Sequence, residues 1–221
     1  MILKTNLHLH ANDDPEDNLE FSFIAALDEA KRLGIGCVAL TCHNAYIDKP
    51  EYHAAAKERG ILYIPGIELS VERKHVVILN ADKSVEKIAS FVQLARYKAE
   101  HPECFILAPH PYFKTVFCLG DKLEQHKEIF DAIECSWFYS KHFDMNKEAA
   151  AFAKENNLPY VATSDLHELR FMDTSYANVE VDQVSIPAVF AALRAGKFTN
   201  TTSPRKLFRE LIPNFIYLVL L

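Results

Sequence analysis

Cys37-Val38-Ala39-Leu40-Thr41-Cys42-His43-Asn44 runs from an apolar, β-like segment straight into an imidazole and an amide. The pattern returns along the chain. Ile61-Leu62-Tyr63-Ile64 leads to Gly66-Ile67-Glu68, Phe105-Ile106-Leu107-Ala108 to Pro109-His110-Pro111-Tyr112, and Tyr160-Val161-Ala162 to Ser164-Asp165-Leu166-His167. His8-Leu9-His10, Asp13-Asp14 and His75 complete the set. His43, Glu68, His110 and Asp165 each stand at the carboxyl end of a predicted strand. In a barrel those ends converge on one face, where the loops build the site. An open sheet would spread the same positions along a crevice. The spacing therefore favours a barrel over a doubly wound sheet.

Around these stretches, apolar runs alternate with amphipathic ones. Strands are expected near 2–8, 36–41, 61–67, 74–79, 104–109, 130–135, 159–163 and 177–181, and helices near 21–33, 51–59, 84–99, 120–128, 143–156 and 185–195. Ser84 is the expected cap of the segment from Val85, and Ser185 with Pro187 marks another helix start. Gly34, Gly60 and Gly196 fall where helices should stop. Repeated β-then-α units predict a mainly parallel sheet with helices outside it. No repeat or linker divides the chain, so residues 1–221 are expected to form a single α/β domain.

Composition narrows the function. The formal net charge is −6 and no basic run occurs, which disfavours a dedicated nucleic-acid binder. Five cysteines form no Cys-x-x-Cys pair, which fits reduced structural thiols and a cytoplasmic location. The apolar start is too short for a secretory signal, and His8 and His10 interrupt it. The apolar tail 211–221 is too short to span a bilayer and reads as a closing core segment, an oligomer contact or a peripheral membrane contact. The oligomeric state is left open.

His8 and His10 carry the most chemistry. Residues i and i+2 of a strand share a face, so both imidazoles can reach one ion. Two buried imidazoles without a ligand would be costly. Imidazole and carboxylate donors without thiolate suit Zn, Mn or Fe rather than a structural zinc cage. His53, His101, His126 and His142 read as ordinary surface or core histidines. Cys42 adjoins His43, and alternation along the strand turns it to the opposite face.

In order, His-x-His, Thr-x-His-Asn, Gly-Ile-Glu, a following His, His-Pro-Tyr and Ser-Asp-x-His resemble the motifs of the polymerase and histidinol phosphatase (PHP) superfamily. The resemblance covers residues 1 to about 170. It implies a distorted seven-stranded (βα)7 TIM-like barrel with a two- or three-metal site. By that resemblance one ion takes His8, His10, Glu68 and Asp165. A second takes Glu68, His75 and His110, with Glu68 bridging. A third takes an acidic residue after His10, with His43 and His167; Asp14 is preferred to Asp13. Glu68, Asp165 and His167 are then the catalytic residues. Many members have Asp where this chain has Cys42; if that aspartate has an outer-shell role, this chain lacks it. Only 41 residues separate Glu68 from His110, too few for the lid insertion of some relatives.

The implied activity is phosphoesterase chemistry on a small phosphomonoester, a nucleotide or sugar phosphate, with hydroxide bridging the ions as nucleophile. Arg170 is the first candidate for pairing with phosphoryl oxygens, followed by Lys114 and Lys141. A nuclease trimming short DNA or RNA ends is the second reading, and a metal-binding regulatory module with weak catalysis the third. Trp137, Phe138 and Tyr139 either line the mouth or pack against a helix.

Overall fold

The computed structural model describes residues 1–205. The apolar tail 211–221 lies outside the described residues. Nine strands form one sheet: β1 (Ile2–Asn6), β2 (Cys37–Leu40), β3 (Leu62–Val71), β4 (Lys74–Leu79), β5 (Phe105–Ala108), β6 (Ala132–Cys135), β7 (Tyr160–Ala162), β8 (Ser175–Glu180) and β9 (Phe198–Thr202). Six helices connect them: α1 (Phe23–Leu33), α2 (Pro50–Arg59), α3 (Phe91–Glu100), α4 (Asp121–Gln125), α5 (Asn146–Glu155) and α6 (Ile186–Arg194). The strand order is β7-β6-β5-β4-β3-β2-β1-β8-β9.

Strands β1 to β7 curl until their two ends meet. Leu9, just past β1, bridges Leu166, just past β7, in parallel register. The His10 amide donates to the Leu166 carbonyl at 3.1 Å, and the Leu166 amide to that of His8 at 3.2 Å. The mixed α/β sheet is thus a nearly closed barrel, as expected. Strands β8 and β9 are a further antiparallel pair on the outer flank of β1.

The sheet is less parallel than the β-then-α rhythm predicts. Pairs β1–β2, β2–β3, β5–β6 and β6–β7 are parallel, but β4 is antiparallel to both neighbours. Only Glu72 and Arg73 link β3 to β4, and both take positive φ (48° and 66°). A two-residue connection can make only a hairpin, since a parallel crossover needs a dozen residues or more. Gly66 allows β3 and β4 to close up. A Cβ there would stand 2.9 Å from the Ile78 carbonyl oxygen and 3.0 Å from a Leu79 methyl.

Two helix boundaries also differ. The stretch expected as one helix over 84–99 is a 3-10 turn, Lys83–Lys87, followed by α3. Asp82, not Ser84, caps the first piece, accepting from the Ser84 amide. Ser90 and Gln93 form a reciprocal capping box that starts α3 afresh. Residues 120–128 likewise divide into α4 and a 3-10 turn. Ser185 caps α6, and Gly34 and Gly60 close α1 and α2 in left-handed geometry, as read from the sequence.

Alternation along the strands builds the core on both faces. Leu3, Ala39, Ile64, Val77, Leu107, Ala132 and Val161, from β1 to β7 in turn, belong to one buried cluster that fills the barrel with Phe190 and Leu193 of α6. The other strand face packs on helices: Val38 and Leu40 with Phe23 and Leu27 of α1, and Ile106 and Ile133 with Leu94 of α3 and Phe152 of α5. Among the described residues, no helix is long and apolar enough to cross a membrane.

Candidate metal centre

At the carboxyl ends of the barrel strands, Glu68 stands at the middle of a ring of imidazoles. It lies within β3, two residues after the close approach at Gly66, and is 1% exposed. Its Oε2 lies 3.0 Å from His8 Nε2, 3.3 Å from His10 Nε2 and 3.1 Å from His43 Nε2. Its Oε1 lies 3.0 Å from His75 Nδ1 and 3.1 Å from His110 Nε2. Asp165 adds Oδ1 at 3.4 Å from His8 Nε2 and 3.3 Å from His10 Nε2.

Three groups place their donor atoms within 4.8 Å of one another, as a metal ion requires. They are His8, His10, Glu68 and Asp165; His43, Glu68 and His75; and His10, Asp17, His43 and His167. The first is the set expected for one ion. The second contains Glu68 and His75 as expected, but with His43 where His110 was expected; His110 Nε2 lies 3.1 Å from Glu68 Oε1 without belonging to the group. The third differs from expectation in its acid. Asp17 Oδ2 lies 2.9 Å from His167 Nε2 and 3.5 Å from His43 Nδ1.

Asp14 sits behind this ring instead. Its Oδ2 accepts from His10 Nδ1 at 2.8 Å and from the His43 amide at 2.7 Å, and lies 3.0 Å from His43 Nδ1. Its Oδ1 takes the amides of Glu16 and Asp17, so the Asp-Pro turn commits Asp14 to local contacts and swings Asp17 inward. Asp13 faces away, bound to Lys49 and the Tyr52 hydroxyl.

Glu134 has the same supporting geometry and escaped the sequence reading. Fully buried on β6, it takes His8 Nδ1 at 2.8 Å and the Thr163 hydroxyl on Oε1, and the His110 amide at 2.6 Å on Oε2. One carboxylate thus orients a ligand from β1 and the backbone after β5. Its signal in the sequence is a lone acid inside the apolar run Ala132-Ile133-Glu134-Cys135, where an unpaired charge would be prohibitive. Two residues here also carry backbone strain: His110 has φ 29° and Asp165 φ 43°. Such angles persist only where the surroundings enforce them.

Electrostatics follow from this crowding. Burial alone would depress the imidazoles, but the carboxylates outweigh it. Against desolvation, Glu68, Asp165 and Glu134 raise His8 to about 10. Against burial and the neighbouring His43, Asp14, Asp165 and Glu68 raise His10 to about 9. Glu68 and Asp14 raise His43 to about 11 despite burial. Burial dominates at His75, whose pKa falls. In return Glu68, Asp165, Asp14 and Asp17 are held below the usual carboxylate range, the histidines overcoming burial.

The donor set fits divalent metal. His10 Nε2, Asp17 Oδ2 and Asp165 Oδ1 are buried and lack hydrogen-bond partners of proper geometry, although oppositely charged groups stand within 3.5 Å. Buried polar atoms are seldom left so, and all three belong to the candidate groups. Nδ1 of His8 and His10 is held by carboxylates, and Nδ1 of His167 donates to the Asp165 carbonyl at 2.9 Å. That turns Nε2 of each toward the carboxylates of the candidate groups, the side from which an ion would be coordinated.

The three candidate phosphate cations lie outside this ring. Arg170 is exposed, pairs with Glu168 at 2.6 Å and lies over the Phe171 ring. Lys114 and Lys141 are exposed in the loops after β5 and β6 and make no ion pair among the described residues. Trp137 and Phe138 are buried and in T-shaped contact, with Trp137 stacked on Phe171, so they pack rather than line the mouth. The Tyr139 hydroxyl bonds to Thr202. Cys42 is fully buried between sheet and helix beside Leu40, Leu9 and Met172. His53 pairs with Asp48, and His101 and His126 stack on Tyr97 and Phe91, outside the candidate groups.

With this geometry established, comparison with known proteins gives a consistent result. The family model described as PHP-associated matches residues 144–198. A two-domain protein of Bacteroides vulgatus ATCC 8482, containing a predicted PHP-like metal-dependent phosphoesterase, aligns with TM-score 0.69 and 20% identity over 98% of this chain and 70% of its own. The lesion-specific endonuclease PfuEndoQ of Pyrococcus furiosus aligns with TM-score 0.69 and 16% identity, over 93% of this chain and 60% of its own. PsfC of Pseudomonas syringae PB-5123 aligns with TM-score 0.66 and 15% identity, over 100% and 98% of the two chains. No curated protein matches by sequence. The chain has a PHP-like fold.

Proposed function

We propose that this PHP-fold chain, one domain over residues 1–221, is a metal-dependent phosphoesterase acting on a small phosphomonoester such as a nucleotide or sugar phosphate. The observation that carries the reading is Glu68, a buried carboxylate within 3.3 Å of five imidazoles, beside orphaned polar atoms on His10, Asp17 and Asp165. His8, His10, Glu68 and Asp165 would hold one ion, Glu68 with His43, His75 and His110 a second, and Asp17, His43 and His167 a third. Mn, Zn or Fe suits these nitrogen and oxygen donors. When bound, such ions supply an acidified water and neutralise phosphoryl oxygens.

The chain's own residues prepare the rest. Glu68 and Asp165, kept ionised by the histidines, supply negatively charged donor atoms at neutral pH. Glu134 and Asp14 fix the ring orientation of His8 and His10, so little reorganisation is needed at the moment of reaction. His167, whose side chain is 27% exposed against 0% for His8 and His10, marks the side from which substrate approaches. Arg170 reaches a phosphate there by exchanging Glu168 for it.

Elemental analysis of chelator-free protein tests the reading first, with at least two ions per chain expected. Hydrolysis of an aryl phosphate with added Mn tests it second, and a panel of phosphorylated metabolites run with Mn, Fe and Zn narrows the substrate. Less than one metal equivalent, with no gain on adding Mn or Zn, defeats it. The likeness to a lesion-specific endonuclease keeps DNA or RNA cleavage as the second reading. Cutting of a labelled oligonucleotide in preference to every monoester would establish that alternative.

A further inference from the structure

We propose that Cys118 is a positioning residue whose sulfur accepts the Nδ1–H of His110 and so turns His110 Nε2 onto Glu68. The inference rests on the metal reading above. Cys118 is 4% exposed, and its Sγ lies 3.5 Å from His110 Nδ1. Thr115 Oγ1 is 3.1 Å from the same sulfur. The loop between them folds back on itself: the Phe113 amide donates to the His110 carbonyl at 3.2 Å, and the Gly120 amide to that of Pro111 at 2.9 Å. The sulfur is thereby delivered to the ring edge opposite the metal side.

A neutral imidazole offers Nε2 to a cation only if its proton stays on Nδ1. Elsewhere in this centre an oxygen holds that proton: Glu134 for His8, Asp14 for His10 and the Asp165 carbonyl for His167. His110 alone of these four has a thiol instead. Its backbone, at φ 29°, is held by Glu134 at its amide and by the Phe113 amide at its carbonyl, but neither contact fixes the rotation of the ring. Sulfur is a weak acceptor. The ion shared by Glu68 and His110 is therefore the most easily lost, and its affinity depends on Cys118.

The experiment uses the full chain as wild type, Cys118→Ala, Cys118→Ser and Cys104→Ala. Cys104 is a buried thiol just before the amino end of β5 and controls for lost packing. Metal content is measured after dialysis against graded zinc, and the visible spectrum after cobalt substitution. Cys118→Ala should weaken one ion by about 10- to 100-fold and shift the cobalt bands, leaving the remaining ions in place. Cys118→Ser, whose hydroxyl also accepts, should recover most of that affinity, and it preserves the test where the alanine variant does not fold. Cys104→Ala should bind as wild type does. Identical zinc affinities and cobalt spectra in wild type and both Cys118 variants overturn the inference alone. A wild-type chain that takes up no zinc or cobalt overturns the metal reading and this inference with it.

Discussion

Replacing Cys42 by aspartate, the residue many PHP members carry there, should unfold this protein rather than tune its metals. Cys42 has no exposed surface and lies among Leu9, Ala11, Leu40, Phe171 and Met172. Burial, and then the nearby Asp14, push its thiol up to about 12. An aspartate in that place is desolvated beside a like charge, so its cheapest state at pH 7 is protonated. Carrying a proton up from an unfolded pKa near 3.9 costs about 4 kcal/mol at pH 7. A buried carboxyl without partners adds about 1–3 kcal/mol. The total approaches the whole stability of an ordinary domain, about 5–15 kcal/mol. At pH 5 the proton cost shrinks to about 1.5 kcal/mol. Because the folded-state pKa is raised, the penalty grows as pH climbs above the unfolded value near 3.9 and is relieved only as pH falls back toward that value. Urea unfolding of chelated wild type, Cys42→Asp and Cys42→Asn at pH 5 and pH 7 measures this. The aspartate variant should recover nearly 3 kcal/mol relative to wild type on acidification, and the asparagine variant almost nothing. Stability within about 1 kcal/mol of wild type at both pH values, as for an ionised aspartate paired to His43, would refute the reasoning.

Glu68→Gln removes the charge shared by the proposed ions and should lower both metal content and rate, by on the order of a hundredfold in kcat. Arg170→Ala should leave metal content intact and mainly raise KM, since among the described residues Arg170 pairs with Glu168, not with the candidate ligands, and lies over Phe171; equal metal loss in both variants shows that Arg170 is misassigned. Glu134→Ala strips partners from His8, Thr163 and the His110 amide at once, so metal affinity should fall about 10- to 100-fold and the melting temperature with it; an unchanged metal titration argues against the support role. Metal should bind more tightly as pH rises from 6 to 8 and should release protons, because His8, His10 and His43 are held protonated in its absence. The chelated protein should behave oppositely. Its raised histidines stabilise it fully below about pH 6.5 and lose that contribution as pH climbs through about 9–11, while its depressed carboxylates stop contributing below about pH 4. Thermal melts with and without chelator check both slopes, and a flat chelated profile from pH 6.5 to 10 contradicts the electrostatic account.

Much of the centre was legible because ligand chemistry and strand endings coincide. His8 and His10 announce themselves by their i, i+2 spacing, and Glu68, His110 and Asp165 by the apolar runs before them. Asp17 was not legible, since four acids lie between residues 13 and 17 and only the turn at Asp14-Pro15 decides which one faces inward. Glu134 was hidden inside a strand where a polar residue reads as an exception. Cys118 was hidden because a thiol's partner is set by a loop rather than a periodicity. On the fold side, β4 was placed in sequence but its direction was not. Hydrophobic runs carry no polarity, and the Glu72-Arg73 hairpin lacks the Asn-Gly signal that usually betrays such a turn. Strand β9, Phe-Thr-Asn-Thr-Thr, has too little apolar content to stand out from a loop.

The seam between Leu9 and Leu166 has a consequence for how the molecule comes into being. It stitches the first segment of the candidate metal centre to the last, and Asn6 and Ser164 add two more bonds across the same join. Contacts so distant along the chain form slowly, because the loop they close must first be ordered. During synthesis, His8 and His10 emerge early and wait for Asp165 and His167 through most of translation. The proposed cation site is therefore assembled only after the chain has wound fully around, and on that reading metal uptake is a late event that reports completed folding.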